Sequence, residues 1–223
     1  VSPNTSNRVF FGTGYTGLFR LDNANTTSPV VTNLSSGLPS GYLSCVEVET
    51  GNDNHLLVVF SNYGLNSVWE STDGGASWVS VEGNLPDMPV RWALFNPANS
   101  DQALIATELG VWSTDDLNGG ATVWGPSNSG LANVRVDMLQ TRQSDKLLVA
   151  STHGRGLFYS NSFVPPVAAL GAAKTAAYIG TTIQFTSNSY NATSWSWDFG
   201  DGTPLSTDEN PVHAYGSAGK FDV

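Results

Sequence analysis

Three acidic residues stand where chemistry can be done: Asp87, Glu108 and Asp137 fall in or beside loops between apolar runs. Two carboxylates facing each other across a cleft can act as an acid and a base, and these are the candidates available. Basic and aromatic residues share the same loops. Arg91 and Arg135 lie 44 residues apart, at what reads as one position of successive repeat units, and Asp137 follows two residues later. His153 and Arg155 sit in Thr152-His153-Gly154-Arg155-Gly156, and Tyr63 in Asn62-Tyr63-Gly64. His153, Arg155, Arg91, Arg135 and Tyr63 are the candidate ligand contacts. The chain shows no Ser-His-Asp order, no zinc-ligand spacing and no phosphate loop. Cys45 lies in the apolar run Leu43-Ser44-Cys45-Val46 with no histidine near it in sequence, which reads as a buried structural thiol.

Composition limits the partners. Nine Lys and Arg against 19 Asp and Glu give a net charge of −10, which argues against nucleic acid and against anionic membrane surfaces. That charge keeps an exported protein soluble. Only 13% of residues are charged while Gly, Ser, Thr and Asn abound, which implies many turns and few exposed helices. Seven tryptophans argue against disorder. No apolar run is long enough to span a bilayer, and Val1-Ser2-Pro3-Asn4 looks like the interior of a longer protein. Asn-x-Ser/Thr sequons at Asn4, Asn25, Asn33 and Asn191 carry weight only in a glycosylating host.

A repeat positions the candidate residues. Gly37-Leu38-Pro39 returns as Asn84-Leu85-Pro86 and Gly130-Leu131-Ala132, with the leucines 47 and 46 residues apart. Phe19, Trp69, Trp112 and Phe158 follow the same register. The pattern predicts strands over 43–49, 55–60, 66–71 and 76–81 in the second unit and over 90–96, 102–107, 110–114 and 121–125 in the third. The fourth unit has 133–140, 146–151 and 156–160. The first begins at Arg8-Val9-Phe10-Phe11 without an inner strand. Four short antiparallel strands in a unit of this length describe a propeller blade.

The hairpin Ser71-Thr72-Asp73-Gly74-Gly75-Ala76-Ser77-Trp78 resembles the Asp-box, Ser-x-Asp-x-Gly-x-x-Trp, of sialidases, xyloglucanase-type glycoside hydrolases and the sortilin propeller. The resemblance implies a structural role for Ser71, Asp73, Gly75 and Trp78 on the outer edge of a blade, away from the ligand face. Ser113-Thr114-Asp115 begins a degenerate copy that reaches Trp124 late, and Arg20-Leu21-Asp22 keeps only the acid. The expectation is the C-terminal part of a ring, whose last blade is closed by a strand from upstream of Val1.

Phe163-Val164-Pro165-Pro166 reads as a stiff linker. Beyond it, Trp197-Asp198-Phe199-Gly200-Asp201-Gly202, Asn210-Pro211-Val212-His213-Ala214-Tyr215 and Gly219-Lys220-Phe221 resemble a PKD domain, a small immunoglobulin-like sandwich stopping short of its last strand. Trp197 and Phe199 are expected in its core, Gly200-Asp201-Gly202 in a turn, and His213 and Tyr215 bracing the sheet. Asp198 and Asp201 are oxygen donors of the kind calcium takes; no other cofactor is expected.

The expected fold class is therefore all-β: four-stranded propeller blades over 1–162, a linker at 163–166, and an incomplete PKD β-sandwich over 167–223. The preferred function is a non-catalytic binding and display module of a large secreted or cell-surface protein, adhering to an extracellular glycan or protein and joined to further domains of its own polypeptide. Two enzyme readings follow from resemblance. A sialidase would use Arg91, Arg135 and Arg155, one per blade, on a substrate carboxylate, but its Arg-Ile-Pro segment is absent. A xyloglucanase-like hydrolase would pair two of Asp87, Glu108 and Asp137. A sortilin-like peptide binder is the remaining alternative.

Overall fold

A computed structural model describes residues 1–15, 17–131, 133–142, 144–163, 167–189 and 192–223. Thr16, Ala132, the linker residues Val164, Pro165 and Pro166, and the Asn191 sequon lie outside the described residues. The chain divides into two compact units, Val1–Phe163 and Val164–Val223. No described helix is long and apolar enough to cross a membrane.

The first unit holds four antiparallel sheets in chain order. The first sheet is β1 (Val9–Thr13), β2 (Gly17–Asp22) and β3 (Val30–Asn33); the second is β4 (Leu43–Val48), β5 (Leu56–Phe60), β6 (Val68–Ser71) and β7 (Val79–Ser80). The third is β8 (Val90–Asn96), β9 (Asn99–Thr107), β10 (Gly110–Thr114) and β11 (Gly125–Pro126), and the fourth is β12 (Val136–Thr141), β13 (Leu148–Thr152) and β14 (Gly156–Ser160). Strand β4 packs beside β8, and β8 beside β12, so the first strands of successive sheets stand together as in propeller blades.

One backbone pattern fixes the repeat. Leu34 N–H donates to Leu18 O, Val81 N–H to Val68 O, and Ser127 N–H to Val111 O. Strands β1, β2 and β3 therefore match β5, β6 and β7, and the first sheet has no inner strand among the described residues.

The middle strands explain the packing. Leu56, Val58 and Phe60 of β5 face the first blade with Leu18, Leu34 and Trp78, while Leu57 and Val59 face the third with Val90, Ile105 and Trp124. Likewise Leu104 and Ala106 of β9 turn to the fourth blade, against Val136, Leu139 and Ala150. A strand buried on both faces reads as a continuous apolar run, as in Leu56-Leu57-Val58-Val59-Phe60. Cys45 lies in the interface between blades two and three, where burial pushes its thiol up to about 12.

The hairpin after β6 is tied by its own side chains. Ser71 Oγ donates to Asp73 Oδ1 at 2.8 Å and accepts the Gly75 N–H at 2.9 Å. Asp73 also accepts the Ser77 hydroxyl at 2.6 Å and the Ser77 N–H at 2.9 Å, which hold its carboxyl down to about 2. Trp78 Nε1–H donates 2.8 Å across to Leu34 O of the preceding blade. Trp124 repeats that bond, to Val81 O at 2.8 Å, despite its longer hairpin.

A strand expected over 121–125 is instead a 3-10 turn at Gly119–Ala121 followed by the two-residue β11. The Asn84 side chain takes the Trp124 N–H at 2.6 Å and gives to Trp124 O at 3.0 Å, so this backbone bonds to a side chain rather than a ladder. Gly75 has φ of 88°, and a Cβ there would lie 2.9 Å from the Leu34 side chain. Gly75→Ala is expected to cost at least about 1–2 kcal/mol, from the left-handed backbone alone, measured by urea denaturation.

In the second unit, β15 (Leu170–Ala172), β16 (Thr182–Ser187) and β17 (Val212–Ala214) form one sheet in that order, and Trp197 bridges Ser206. Ile183, Phe185, Trp197 and Phe199 make its core. The His213 ring stacks on Phe199 with centroids 4.1 Å apart and bonds Asp201 through Nε2 at 2.8 Å. Tyr215 meets His213 edge-on at 4.7 Å. Asp201 also accepts the Thr203 hydroxyl at 2.6 Å, and Asp198 accepts the Gly200 N–H at 2.9 Å.

Candidate functional site

Antiparallel strands place the loop leading into each first strand and the turn between second and third strands at the same end of a blade. Asp87, Arg91, Glu108, Arg135, Asp137, His153 and Arg155 all lie at that end. The Ser71–Trp78 hairpin and the β4–β5 loop lie at the other, joined by a 2.8 Å bond from Gly74 N–H to Asn54 O.

Three bulges aim the side chains here. The β4–β5 ladder slips between Leu43 and Cys45, the β8–β9 ladder between Val90 and Trp92, and the β12–β13 ladder between Val136 and Met138. Each slip leaves one residue outside the ladder: Ser44, Arg91 and Asp137. A bulge bends the strand and redirects its extra residue, and Ser44 and Arg91 thereby reach toward the next blade. Ser44 Oγ donates 2.6 Å to Val90 O, and Arg91 Nε approaches Asp137 Oδ1 at 3.9 Å.

This corrects the reading of the arginines. Arg91 is repeat-equivalent to Asp137, not to Arg135, because the ladders align Val90 with Val136. Arg135 lies just before β12, and Arg155 turns from β13 to β14 of the same blade, so the three arginines do not come one per blade.

The structure gathers five of the sequence candidates. Arg91 pairs with Glu108 through Nη2. Arg135 Nε donates to Asp137 Oδ1 at 2.5 Å, and His153 Nδ1 lies 3.4 Å from Asp137 Oδ2. The Nε–H of Arg91 is buried without a hydrogen-bond acceptor among the described residues. Asp87 stands apart from this network, accepting the Gly64 N–H at 2.7 Å and so fastening the Tyr63 turn to the next blade. Arg155 is exposed and carries no ion pair among the described residues.

Aromatic rings continue this end of the unit. Tyr15, Tyr42 and Tyr63 are 67%, 50% and 66% exposed, and the Tyr15 and Tyr42 rings meet edge-on with centroids 4.9 Å apart. Asn62 Oδ1 accepts the Tyr42 N–H at 2.6 Å, and Ser61 N–H donates to Tyr42 O at 2.9 Å. Tyr42 is a residue that motif reading misses; its signal is its place directly ahead of an inner strand.

Glu47 is a second residue missed. It lies on β4 between Cys45 and Glu49, facing blade three, and burial raises its carboxyl to about 7 against a bond from the Phe95 N–H. It lines a cavity of about 680 Å³ with Glu49, Trp92, Phe95, Gln140 and Lys146. Nearby, the buried His55 ring lies between two acids, with Nδ1 2.9 Å from Glu49 Oε2 and Nε2 2.8 Å from Glu70 Oε1.

Comparison with known proteins adds two findings. Residues 163–223 match the family model of the PKD domain. Among solved structures, the chain resembles an ancestral GH74 enzyme with a TM-score of 0.51 at 18% identity, over 84% of this chain and 29% of that one. A GH74 enzyme of Niastella koreensis aligns at 14% identity with a TM-score of 0.47, over 82% of this chain and 27% of that one. The chain thus spans less than a third of either enzyme's length. No curated protein matches it. The first likeness bears on fold alone: this is an all-β chain of propeller blades carrying a PKD domain.

Proposed function

We propose that this chain is a non-catalytic glycan-binding module of a secreted or cell-surface protein, and that its Ser71–Trp78 hairpin is a structural Asp-box. The observation that carries this reading is the row of exposed tyrosines, Tyr15, Tyr42 and Tyr63, on the end of the blades that also bears the arginines. A sugar ring has an apolar C–H face that packs on an aromatic ring and hydroxyls that need nearby polar partners. The Asn62 and Asp87 bonds hold Tyr42 and the Tyr63 turn in place before a ligand arrives, which lowers the ordering cost of binding. Glu108 is paired with Arg91 and Asp137 with Arg135.

Affinity electrophoresis against soluble β-glucans and acidic polysaccharides tests this. Tyr42→Ala or Tyr15→Ala is expected to weaken binding about tenfold, the loss of one aromatic contact. Retardation unchanged by both substitutions sinks the proposed platform.

One observation favours a second reading, a polysaccharide hydrolase. Glu47 is an acid raised to about 7 beside a cavity, the condition a general acid needs at neutral pH. Reducing ends released from a β-glucan by the protein, and abolished in Glu47→Gln, would establish that reading in place of the first.

A further inference from the structure

Three acid or amide side chains of this sequence directly precede a glycine: Asp73, Asn118 and Asp201. Such a pair can close a ring on itself, because the glycine nitrogen is uncrowded by a Cβ and lies near the preceding side-chain carbonyl carbon. The structure treats the three pairs differently. Asp73 is tied by Ser71 and Ser77, and Asp201 by Thr203 and His213. Those bonds hold both carboxyls down to about 2, and an ionised carboxylate is a poor target for an attacking nitrogen.

Asn118 is uncharged and exposed, and its side-chain amide has no hydrogen-bond partner among the described residues. Only its backbone is engaged: its N–H donates 2.8 Å to Thr122 Oγ1, and its carbonyl accepts the Ala121 N–H at 2.9 Å. The Gly119 N–H opens the 3-10 turn Gly119–Ala121, so no carbonyl within the turn accepts it, and it has no other acceptor among the described residues. Gly119 has φ of 52°, in the region that favours glycine.

We propose that Asn118 is a self-modification site, which converts to aspartyl and isoaspartyl forms through a succinimide. Hydroxide takes the Gly119 N–H proton, and the nitrogen bonds to Asn118 Cγ. The Cγ–Nδ2 bond breaks, and Nδ2 leaves as ammonia after taking a proton back from water. Water then opens the five-membered ring. Opening at Cγ gives the aspartyl form, and opening at the main-chain carbonyl gives the isoaspartyl form. Either form adds a negative charge beside Asp115 and Asp116. The isoaspartyl form also adds one carbon to the main chain, in a turn without slack. Thr122 is 2% exposed, and its carbonyl lies so close to Gly83 of blade two that a Cβ there would overlap it. Trp124 stands two residues further on. The modification therefore loosens the outer hairpin of blade three from blade two, and it accumulates with the age of the molecule. This inference is independent of the glycan reading, since the tyrosines take no part in it.

The test incubates the whole 223-residue protein, folded, at mildly alkaline pH. It is then digested, and its peptides are separated, weighed and fragmented. The mass gain of deamidation is expected at Asn118 ahead of every other asparagine, as two chromatographic peaks for the two forms. Asn118→Gln, whose longer side chain would have to close a six-membered ring, is expected to lose both peaks. An aspartyl product alone would mean direct hydrolysis of the amide and would overturn the cyclisation. An Asn118 amide that stays intact in the folded protein would overturn the proposal as well, and reaction in the urea-unfolded chain alone would show that the turn protects it.

Discussion

Trp124→Ala is expected to lower the unfolding free energy of the first unit by about 3–5 kcal/mol, the range for truncating a large buried aromatic. The indole is 2% exposed and packs among Val81, Leu85 and other residues of the interface between blades two and three. Its loss leaves a cavity that a rigid sheet interface cannot close. It also strips the Val81 carbonyl of its indole donor, while Asn84 goes on gripping a backbone with nothing behind it. Trp124→Phe separates these contributions: it retains most of the volume and loses the N–H, so about 1–3 kcal/mol is expected for the unsatisfied group and the poorer fit. Urea melts followed by circular dichroism measure both. A Trp124→Ala protein within 1 kcal/mol of the parent would mean that the indole does not tie the blades together.

His55 carries the second large effect. Both ring nitrogens face carboxylates, so a neutral imidazole would point a lone pair at one of them. Burial lowers the proton affinity of His55, but the bonds to Glu70 and Glu49 outweigh it and the pKa is raised. Burial raises that of Glu49, but bonds from Ser100 and His55 outweigh this and its pKa is lowered. The charged triad therefore contributes fully below the unfolded histidine pKa of about 6.5, and this contribution fades as pH rises through the higher folded value. The Glu49 contribution is present above its unfolded pKa of about 4.3 and fades in acid.

Stability is thus expected to peak on the mildly acidic side and decline toward alkaline pH. His55→Ala leaves two acids without their shared cation beside Phe95, whose ring centroid lies 4.4 Å from that of His55. A loss on the order of 3 kcal/mol at pH 6 is expected, shrinking as the pH rises. Thermal melts from pH 5 to 9 check this, and parallel profiles for parent and variant would refute it.

Much of the fold is legible in spacing. Leu38, Leu85 and Leu131 mark the blades, and the run Leu56 to Phe60 announces a strand with no solvent face. Trp197 and Phe199 could be placed in a core from their motif alone. The site was less legible. Arg91 and Arg135 look equivalent because both are arginines before an apolar strand, but bulges set the true alignment, and no residue type marks a bulge. His55 is hidden for another reason: its acids are 6 and 15 residues away and converge only through the β4–β5–β6 ladders. Tyr42 is marked only by its place ahead of an inner strand, and a single aromatic there is more often core.

The bulges have a consequence for how such a chain can change over generations. Ser44, Arg91 and Asp137 occupy one structural position and are a hydroxyl, a cation and an anion. Because the position stands outside the ladder, its occupant can be exchanged without breaking a strand pair. Each blade therefore offers a slot in which selection can try new chemistry while the sheet of paired strands behind it stays as it was. A saturation library at these three codons should keep most variants folded while altering what the rim holds, and the same library at the buried neighbour Cys45 should not.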